Sequence, residues 1–395
     1  MRTLTDQDLW DAIRGAAVLA TGGGGIAPDK ETFQRELDKL REGGFKVRLV
    51  DLEEVPSDSV VFMKVGIGGG IELDIKRKYM RGSVECIRKQ ILEMDKVYPL
   101  PKWAEIPDEK WEMKGEERLI EILGKEPEAY LSFEVGPGVL FRQACEAARR
   151  NKPVIDADIA GYRAVPELSL STLNIKHAPA MPAVCATPWG DLLIFEKVLS
   201  WQRFEDICRH LAIVSGGYTP VVIPVEVRFL REAYVPKTIS KSIEVGRAIR
   251  EALERGEDAV DAAVKACGGY KLFEGRVKAY LREDKGGFVW GETRFEGTGE
   301  FKNHTFKIWY KNENQISWLD GEPYVTCPDL ICVVDAKTSW GLSNFRIEDW
   351  AAGREVAIIG VKAADLWRSE RGLRIYNPRH FGFEIRYKPI EEFFQ

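Results

Sequence analysis

Hydrophobic residues recur at helical spacing near the start of the chain. Thr5 precedes them, and Asp8 lies three positions later, the spacing of a capping box at the start of a helix. The apolar positions that follow at helical intervals are Leu9, Ile13, Ala16 and Ala20. We therefore predict a first helix here. We predict a second helix from Pro28 to about Leu40, because proline suits the first helical position.

Short apolar runs after the second predicted helix indicate buried strands. These runs lie at 45–50, 59–66, 129–136 and 153–158. Helical stretches such as 138–150 separate most of them. Strands that alternate with helices favour a parallel or mostly parallel sheet covered by helices. The polar stretch 98–119, rich in Trp, Pro and Lys, predicts an excursion from the core that serves as a lid or an oligomer contact.

The pattern changes after about residue 170. Strand-like runs with turn residues between them lie at 221–230, 288–297, 305–312 and 328–335. A helical pair at 240–269 interrupts them, and Gly256 and Gly268 mark its two C-terminal ends. We therefore predict an α/β plus β fold. Residues 1–170 form an N-terminal three-layer α/β domain with a mostly parallel sheet, and residues 171–395 form a β-rich C-terminal domain with a helical hairpin.

The composition is that of a soluble globular protein. The 395 residues are 45% hydrophobic and 30% charged, with a net charge of −5. The absence of a basic stripe argues against nucleic acid and anionic membranes as partners. No stretch reaches the roughly 20 apolar residues of a membrane span, and the apolar run near the N-terminus is too short for a signal peptide. We therefore expect a cytoplasmic protein. The seven scattered cysteines include no CxxC pair, which argues against a thiolate zinc site.

Four consecutive glycines, Gly22, Gly23, Gly24 and Gly25, join the two predicted helices. A phosphate-binding loop or a dinucleotide fingerprint needs strand, glycines and helix in that order, and GxxxxGK[ST] is absent. We therefore expect no bound nucleotide. The free N–H groups at the start of the next helix can instead face an anion or a carbonyl oxygen.

Glycines and acidic residues also follow three of the predicted strands. In open α/β sheets, ligands bind beyond the carboxyl ends of the strands. The positions that we single out are Gly68, Gly69 and Gly70 after the second strand, Glu134, Gly136 and Gly138 after the third, and Asp156, Asp158, Arg163 and Glu167 after the fourth. Together with the four-glycine turn, they predict a crevice that is walled by main-chain N–H and C=O groups and that a few carboxylates reach.

Structural roles compete with functional ones at these positions. Glu134 ends a buried strand, so it is either a functional acid or half of an ion pair with Arg142 or Arg163. Asp156 could cap the following segment. Asp156 and Asp158 could also bind a hard cation with other oxygens, which leaves a divalent metal open and the cofactor unknown.

Six segments together carry a resemblance to a known family. They are GAAVLATGGGG (15–25), PVIDADIAGYRAVPELSLST (153–172), TISKSIEVGRAIREA (238–252), LFEGRV (272–277), PDLICVVDAKT (328–338) and NPRHFGFEIRY (377–387). As a set they resemble the S-methyl thiohydantoin desulfurase family, a former domain of unknown function linked with hydantoinase/oxoprolinase genes. The resemblance covers nearly the whole chain. It implies the same two-domain division and activity on a five-membered cyclic imide or thioamide.

The resemblance also bears on the site. The family's EIGG matches residues 134–138, and its DADGMGRAFPE matches residues 156–167. This chain has IGGG at 67–70 where the family tends to have MGSP or MGAP, and IAGYR at 159–163 in place of GMGR. Because these departures fall in the expected crevice, they leave the substrate open.

Taken together, these features predict that water attacks C2 of a hydantoin-type or thiohydantoin-type ring. Glu134 or Asp158 acts as the general base, Asp156 orients the water and Arg163 holds the ring's substituent. Main-chain N–H groups from 22–25 or 68–70 stabilise the negative charge of the intermediate.

A different class of function is also compatible with the sequence. The alternative is a non-catalytic small-molecule binding protein or a partner subunit of a hydantoinase/oxoprolinase-type complex. In either case we expect a homo-oligomer.

Overall fold

The computed structural model describes residues 1–79, 84–108 and 111–395. In chain order its first elements are β1 (Arg2–Thr3), α1 (Asp6–Leu19), α2 (Lys30–Glu42), β2 (Arg48–Val50), β3 (Val60–Gly68), α3 (Leu73–Lys78), α4 (Val84–Asp95), α5 (Trp111–Leu123), β4 (Ala129–Tyr130), α6 (Pro137–Arg149), β5 (Val154–Ile155), β6 (Ala157–Asp158), α7 (Thr172–Lys176), β7 (Ala183–Ala186), β8 (Leu192–Phe195), α8 (Trp201–Val214), β9 (Tyr218–Glu226), α9 (Val227–Leu230) and β10 (Val235–Pro236). They are followed by α10 (Thr238–Arg255), α11 (Ala259–Cys267), β11 (Tyr270–Lys285), β12 (Phe288–Gly297), β13 (Thr305–Lys311), β14 (Glu313–Leu319), β15 (Glu322–Thr326), β16 (Leu330–Asp335), β17 (Glu355–Val361), α12 (Asp365–Arg368) and α13 (Glu370–Ile375).

The first two helices begin where side chains satisfy their free N–H groups. The predicted capping box of α1 is present, with the N–H of Asp8 donating to Thr5 Oγ1 and the N–H of Thr5 donating to Asp8 Oδ2. The start of α2 lies later than predicted. Asp29 is its N-cap and accepts from the N–H of Thr32, so Pro28 precedes the cap instead of opening the helix.

The first sheet is mixed, so the expectation of a mostly parallel sheet is not confirmed. Its strand order is β1-β2-β5-β4-β3-β9-β7-β8. The pairs β2–β5, β5–β4 and β4–β3 are parallel, as the alternation of strands and helices predicts. The flanks are antiparallel: β1 pairs with β2 at one edge, and β3, β9, β7 and β8 pair in turn at the other.

The run 221–230 lies in this first sheet, whereas we assigned it to the β-rich half. Most of it forms β9, which pairs with β3 from Val60 opposite Glu226 to Gly68 opposite Tyr218. A continuous apolar run fits a central strand, because such a strand is buried on both faces. The predicted boundary after residue 170 stays a prediction.

The second sheet is antiparallel throughout, with the order β15-β14-β13-β12-β11-β17-β16. Its core is an aromatic and aliphatic cluster that includes Phe273, Phe295, Phe306, Ile331 and Ile358. The predicted helical hairpin is present as α10 and α11. These helices end at Gly256 and Gly268, both in the left-handed region, which confirms the predicted ends.

Glycines bring α10 into close contact with α1 of the first part of the chain. A Cβ on Gly15 would overlap the carbonyl oxygen of Ser242, and a Cβ on Gly246 would overlap that of Asp11. The two helices therefore pack backbone to backbone, while α11 packs against β11 and β17 of the second sheet. None of the helices in the described part of the chain has both the length and the apolar character to cross a bilayer.

Candidate functional site

A cleft of about 750 Å³ lies where the glycine-rich loops of the first sheet meet the second sheet. The singled-out residues that line it are Gly24, Gly25, Gly68, Gly69, Gly70, Glu134, Gly138 and Glu167. The second sheet and its loops contribute Arg282, Asp284, Val289, Asn312, Glu313 and Phe345. Loops far apart in sequence therefore meet at one opening. Whether they hold a substrate stays a prediction.

The four-glycine turn has steric reasons for its composition. Gly22, Gly24 and Gly25 have φ values of 92°, 69° and 77°, which favour glycine. A Cβ on Gly136 would overlap the backbone of Gly24, so the turn packs directly on the start of α6. A Cβ on Gly23 would overlap Glu313 Oε1. Three of the singled-out glycines, Gly22, Gly23 and Gly136, thus lie behind the cleft wall and do not line it.

Glu134 lies between β4 and α6 and faces the cleft. Its Oε2 accepts a hydrogen bond of 2.9 Å from the N–H of Val165. Burial raises the pKa of Glu134 to about 7, although this hydrogen bond and the charges of Arg163, Arg142 and Arg209 act in the opposite direction. A carboxyl group with a pKa near neutrality can gain and lose a proton under physiological conditions.

Glu313 is the functional candidate that the sequence analysis missed. It begins β14, is 3% exposed, and lies against Gly23. Among the described residues, its Oε2 has no hydrogen-bond partner. Burial and then the charge of Glu134 raise the pKa of Glu313 well above its ordinary value. Two carboxyl groups whose negative charges repel one another titrate as a pair, so one stays protonated when the other ionises.

The sequence contains one sign of this residue. Lys311, Asn312, Glu313, Asn314 and Gln315 are consecutive polar residues, and all five are buried. A polar run at the junction of two strands is typical of an exposed turn. Only the structure shows that this junction lies inside the molecule.

The structure places Asp156 and Asp158 outside the lining of the cleft. The carboxylate of Asp158 accepts from the N–H groups of Ala160, Gly161 and Tyr162 at 3.0, 2.6 and 3.1 Å. The carboxylate of Asp156 accepts from the N–H and the hydroxyl of Ser240, in the first turn of α10. Both aspartates therefore stabilise the local backbone conformation, because main-chain and hydroxyl donors bind their carboxylate oxygens.

Arg163 also has a structural position instead of the substrate contact that we predicted. It is fully buried, donates to the carbonyl oxygen of Pro328 at 2.8 Å, and packs over the ring of Tyr376. Three other arginines, Arg142, Arg209 and Arg282, line the cleft. Arg142 lies on α6, and its Nη1 donates to the hydroxyl of Tyr218 at 2.7 Å.

Glu167 lines the cleft but is already paired. Its carboxylate accepts from Lys311 and contacts Nε2 of His380 at 3.2 Å. Burial alone would raise the pKa of Glu167. The hydrogen bond from His380 and the charge of Lys311 outweigh burial and hold this pKa far below its ordinary value. Glu167 is therefore ionised at neutral pH, which does not suit a proton carrier.

The described residues contain no group of three or more His, Cys, Asp or Glu side chains placed to hold a metal ion. The DxD pair that we considered as cation ligands accepts hydrogen bonds from main-chain and serine donors. Such donors would compete with a cation for the same oxygens.

Comparison with known proteins gives one family and a similar fold. A protein from Chromobacterium violaceum with an X-ray crystal structure is 19% identical, with a TM-score of 0.69 over 99% of this chain and 100% of that one. At this identity the likeness shows the fold alone. No curated protein matches the chain. The model for the S-Me-THD-like N-terminal domain matches residues 7–197, and the model for the S-Me-THD-like C-terminal domain matches residues 200–390. Since these two matches cover nearly all of the sequence, the chain belongs to the S-Me-THD-like family.

Proposed function

We propose that the protein is a hydrolase-like enzyme that replaces the C2 substituent of a five-membered hydantoin-type or thiohydantoin-type ring by water. The observation that carries this proposal is the pair of carboxyl groups, Glu134 and Glu313, at one glycine-walled cleft. The raised pKa values of both groups provide a proton acceptor and a proton donor near neutral pH. The family name supports the class of ring.

For a ring with an S-methyl group on C2 the protons balance as follows. Ionised Glu134 takes one proton from water as the water oxygen bonds to C2, and passes it to the neighbouring ring nitrogen. Protonated Glu313 donates its proton to sulfur as the C2–S bond breaks and methanethiol leaves. The hydroxyl on C2 then returns its proton to Glu313, and the product is the C2 carbonyl.

The cleft wall provides electrostatic support for the intermediate. Gly24, Gly25 and Gly138 line the cleft beside the N-terminus of α6, which has no side-chain cap. The partial positive charge at a helix N-terminus and nearby main-chain N–H groups stabilise negative charge that develops on the ring. Arg142 supplies the cleft cation that we expected from Arg163, held by the Tyr218 hydroxyl.

Turnover of defined rings tests this proposal. The purified protein is mixed with an S-methyl thiohydantoin, a thiohydantoin and a hydantoin, and ring absorbance and thiol release are followed in ¹⁸O-labelled water. We expect thiol release with one labelled oxygen in the product, and loss of this activity in Glu313→Gln. Elemental analysis of the same sample reports whether a divalent metal is present.

The same experiment separates this proposal from the alternative. Ring binding without turnover would contradict the enzyme proposal. If pull-down from the host then recovered a larger subunit in stoichiometric amount, the chain would be a binding protein or a partner subunit of a hydantoinase/oxoprolinase-type complex. Sedimentation of the purified protein tests the expected homo-oligomer.

A further inference from the structure

One buried arginine joins three loops of the cleft wall. Arg209 on α8 is 6% exposed, and its Nη1 donates to the carbonyl oxygens of Gly68 at 2.9 Å and Gly287 at 2.8 Å. Its Nη2 donates to the carbonyl oxygen of Pro166 at 2.8 Å, and its Nε donates to Glu205 at 2.7 Å. Gly68 ends β3, Pro166 lies in the loop after β6, and Gly287 lies in the turn between β11 and β12. The contacts therefore link the two segments, 7–197 and 200–390, that match the family models.

The contact with Pro166 leads to Glu134. Pro166 directly follows Val165, and the N–H of Val165 donates to Glu134 Oε2 at 2.9 Å. The hydrogen bond from Arg209 to the Pro166 carbonyl therefore fixes the peptide segment that orients the Glu134 carboxyl group. Each link in this chain is a covalent bond or a directional hydrogen bond, so a shift of the Pro166 peptide moves the N–H group that holds Glu134.

The contacts with Gly68 and Gly287 lead to Glu313 through Asn312. The carbonyl oxygen of Gly68 also accepts from Asn312 Nδ2 at 3.4 Å. Gly287 lies two residues before Val289, whose N–H donates to Asn312 Oδ1 at 2.8 Å. The N–H of Asn312 donates back to the carbonyl oxygen of Val289 at 2.7 Å. Asn312 immediately precedes Glu313, so the Gly287 carbonyl and the Glu313 backbone are parts of one hydrogen-bonded unit.

We propose that Arg209 is a positioning residue that sets the placement of the Glu134 carboxyl group relative to the Glu313 carboxyl group. The inference rests on the proposed function of these two residues. Arg209 does not itself act on the ring, because the donors described above are directed at main-chain carbonyls and at Glu205.

The side-chain chemistry of arginine suits this role. Its planar fork presents five N–H donors at fixed angles, whereas lysine presents a compact ammonium on a flexible stem. Lysine keeps the charge but cannot hold three carbonyls in a fixed arrangement. Arg209 also adds a positive charge that lowers the pKa of both glutamates, together with Arg163 for both groups and Arg142 for Glu134.

The test compares Arg209→Lys and Arg209→Ala with a control on the same helix, Arg203→Ala, whose side chain is 58% exposed. We expect kcat to fall about 10²-fold in both Arg209 variants, as for a misplacement of catalytic groups by about 1 Å, and to stay unchanged in the control. Added guanidinium ion should restore part of the kcat of Arg209→Ala and none of that of Arg209→Lys, whose ammonium fills the space.

A second readout needs no substrate, so failure of the proposed function and failure of this inference are distinguishable. In protein labelled with ¹³C at glutamate carboxyl groups, the Glu134 signal, assigned with Glu134→Gln, should titrate at about pH 7 in the wild type. Its pKa should move upward in Arg209→Ala, where a positive charge is lost, and less in Arg209→Lys. A crystal structure of Arg209→Lys should show the 2.9 Å contact between Val165 and Glu134 broken.

Three results would overturn the inference. They are wild-type kcat in a folded Arg209→Lys variant, an unchanged Glu134 titration in Arg209→Ala, and an unchanged contact between Val165 and Glu134 in the variant structure. If Arg209→Ala does not fold, Arg209→Lys carries the same comparison, because it keeps the charge and most of the volume of the side chain.

Discussion

Two pairs of acidic residues in this molecule, Asp156 with Asp158 and Glu134 with Glu313, differ in what surrounds them. Asp156 and Asp158 have hydrogen-bond donors on both carboxylate oxygens. Glu134 has one main-chain donor, and Glu313 Oε2 has no partner among the described residues. The carboxylate oxygens of Asp156 and Asp158 are therefore all engaged in hydrogen bonds within the protein. Glu134 and Glu313 keep oxygen atoms that can accept a hydrogen bond from a ligand.

The difference shows that burial alone does not identify a functional acid. Burial raises the pKa of Asp158 to about 7 and that of Glu134 to the same value. What distinguishes the two residues is access, because Glu134 lines the cleft and Asp158 does not. The unsatisfied oxygen and the open cleft together are the more specific sign, since native proteins rarely leave buried polar atoms unpaired.

The largest expected effect is on kcat and comes from changes at Glu134 and Glu313. Glu134→Gln and Glu313→Gln should each lower kcat by about 10²-fold to 10⁴-fold, the usual contribution of a general acid or base. Neither should unfold the protein, because glutamine is isosteric with glutamate and uncharged. Initial rates with an S-methyl thiohydantoin, normalised to folded protein, measure this. Turnover near the wild type in both variants would remove the catalytic assignment.

The next effect comes from steric pressure on Glu313. Gly23→Ala introduces a methyl group where Glu313 Oε1 lies, so the carboxyl group must move. We expect kcat to fall by about 10²-fold with a small change in KM. Gly44→Ala is the control, since it has open space around it and lies away from the cleft. Its φ of 71° makes alanine cost stability there, so kcat is compared per folded molecule and should stay unchanged. Equal activity in the two variants would show that the position of Glu313 is unimportant.

A smaller effect is expected on stability from the first pair. Asp158→Asn places an amide where three main-chain N–H groups donate, so the free energy of unfolding should fall by about 1–3 kcal/mol. The kcat per folded molecule should stay within a few-fold of the wild type. Urea denaturation with parallel activity assays measures both, with the exposed Asp365→Asn as control. A loss of kcat as large as that of Glu134→Gln, at unchanged stability, would contradict the structural role that we assign to Asp158.

The smallest effect is a change of stability with pH. The folded-state pKa of Glu134 is about 7, above its ordinary value of 4.5, so the folded state holds this proton more tightly. Its stabilising contribution is full below about pH 4.5 and is lost as the pH rises through about 7. The stability of Glu134→Gln relative to the wild type should therefore increase across this range. A constant difference in denaturation midpoint would contradict the raised pKa.

Local features of the fold could be predicted from the sequence. The capping box at Thr5 and the helix ends at Gly256 and Gly268 depend on residues within a few positions of one another. Most of the antiparallel second sheet follows from the strand-like runs at 288–297, 305–312 and 328–335 and the turn residues between them, which are also local. Its longest strand, β11, is not among the predicted runs. The location of β9 could not be predicted, because the choice of β3 as its partner depends on contacts between residues far apart in sequence.

The same distinction between local and long-range information applies to the residues of the site. Glu134 could be found because it ends an apolar run before glycines, and the structure places it in the cleft. Glu313 could not, because its polar neighbours make the segment indistinguishable from an exposed turn. Asp156 and Asp158 look the same in sequence whether their oxygens face a ligand or, as here, the N–H groups of Ser240 and residues 160–162.

The position of β9 affects whether the two segments that match the family models, 7–197 and 200–390, can be expressed separately or exchanged between relatives. This strand belongs to the segment at 200–390, yet it lies between β3 and β7 in the middle of the first sheet. A fragment that ends at residue 197 would lack a central strand and leave the long edge of β3 open to pairing with other chains. The two segments thus share one sheet, and shuffling them between relatives would exchange an interior strand of that sheet.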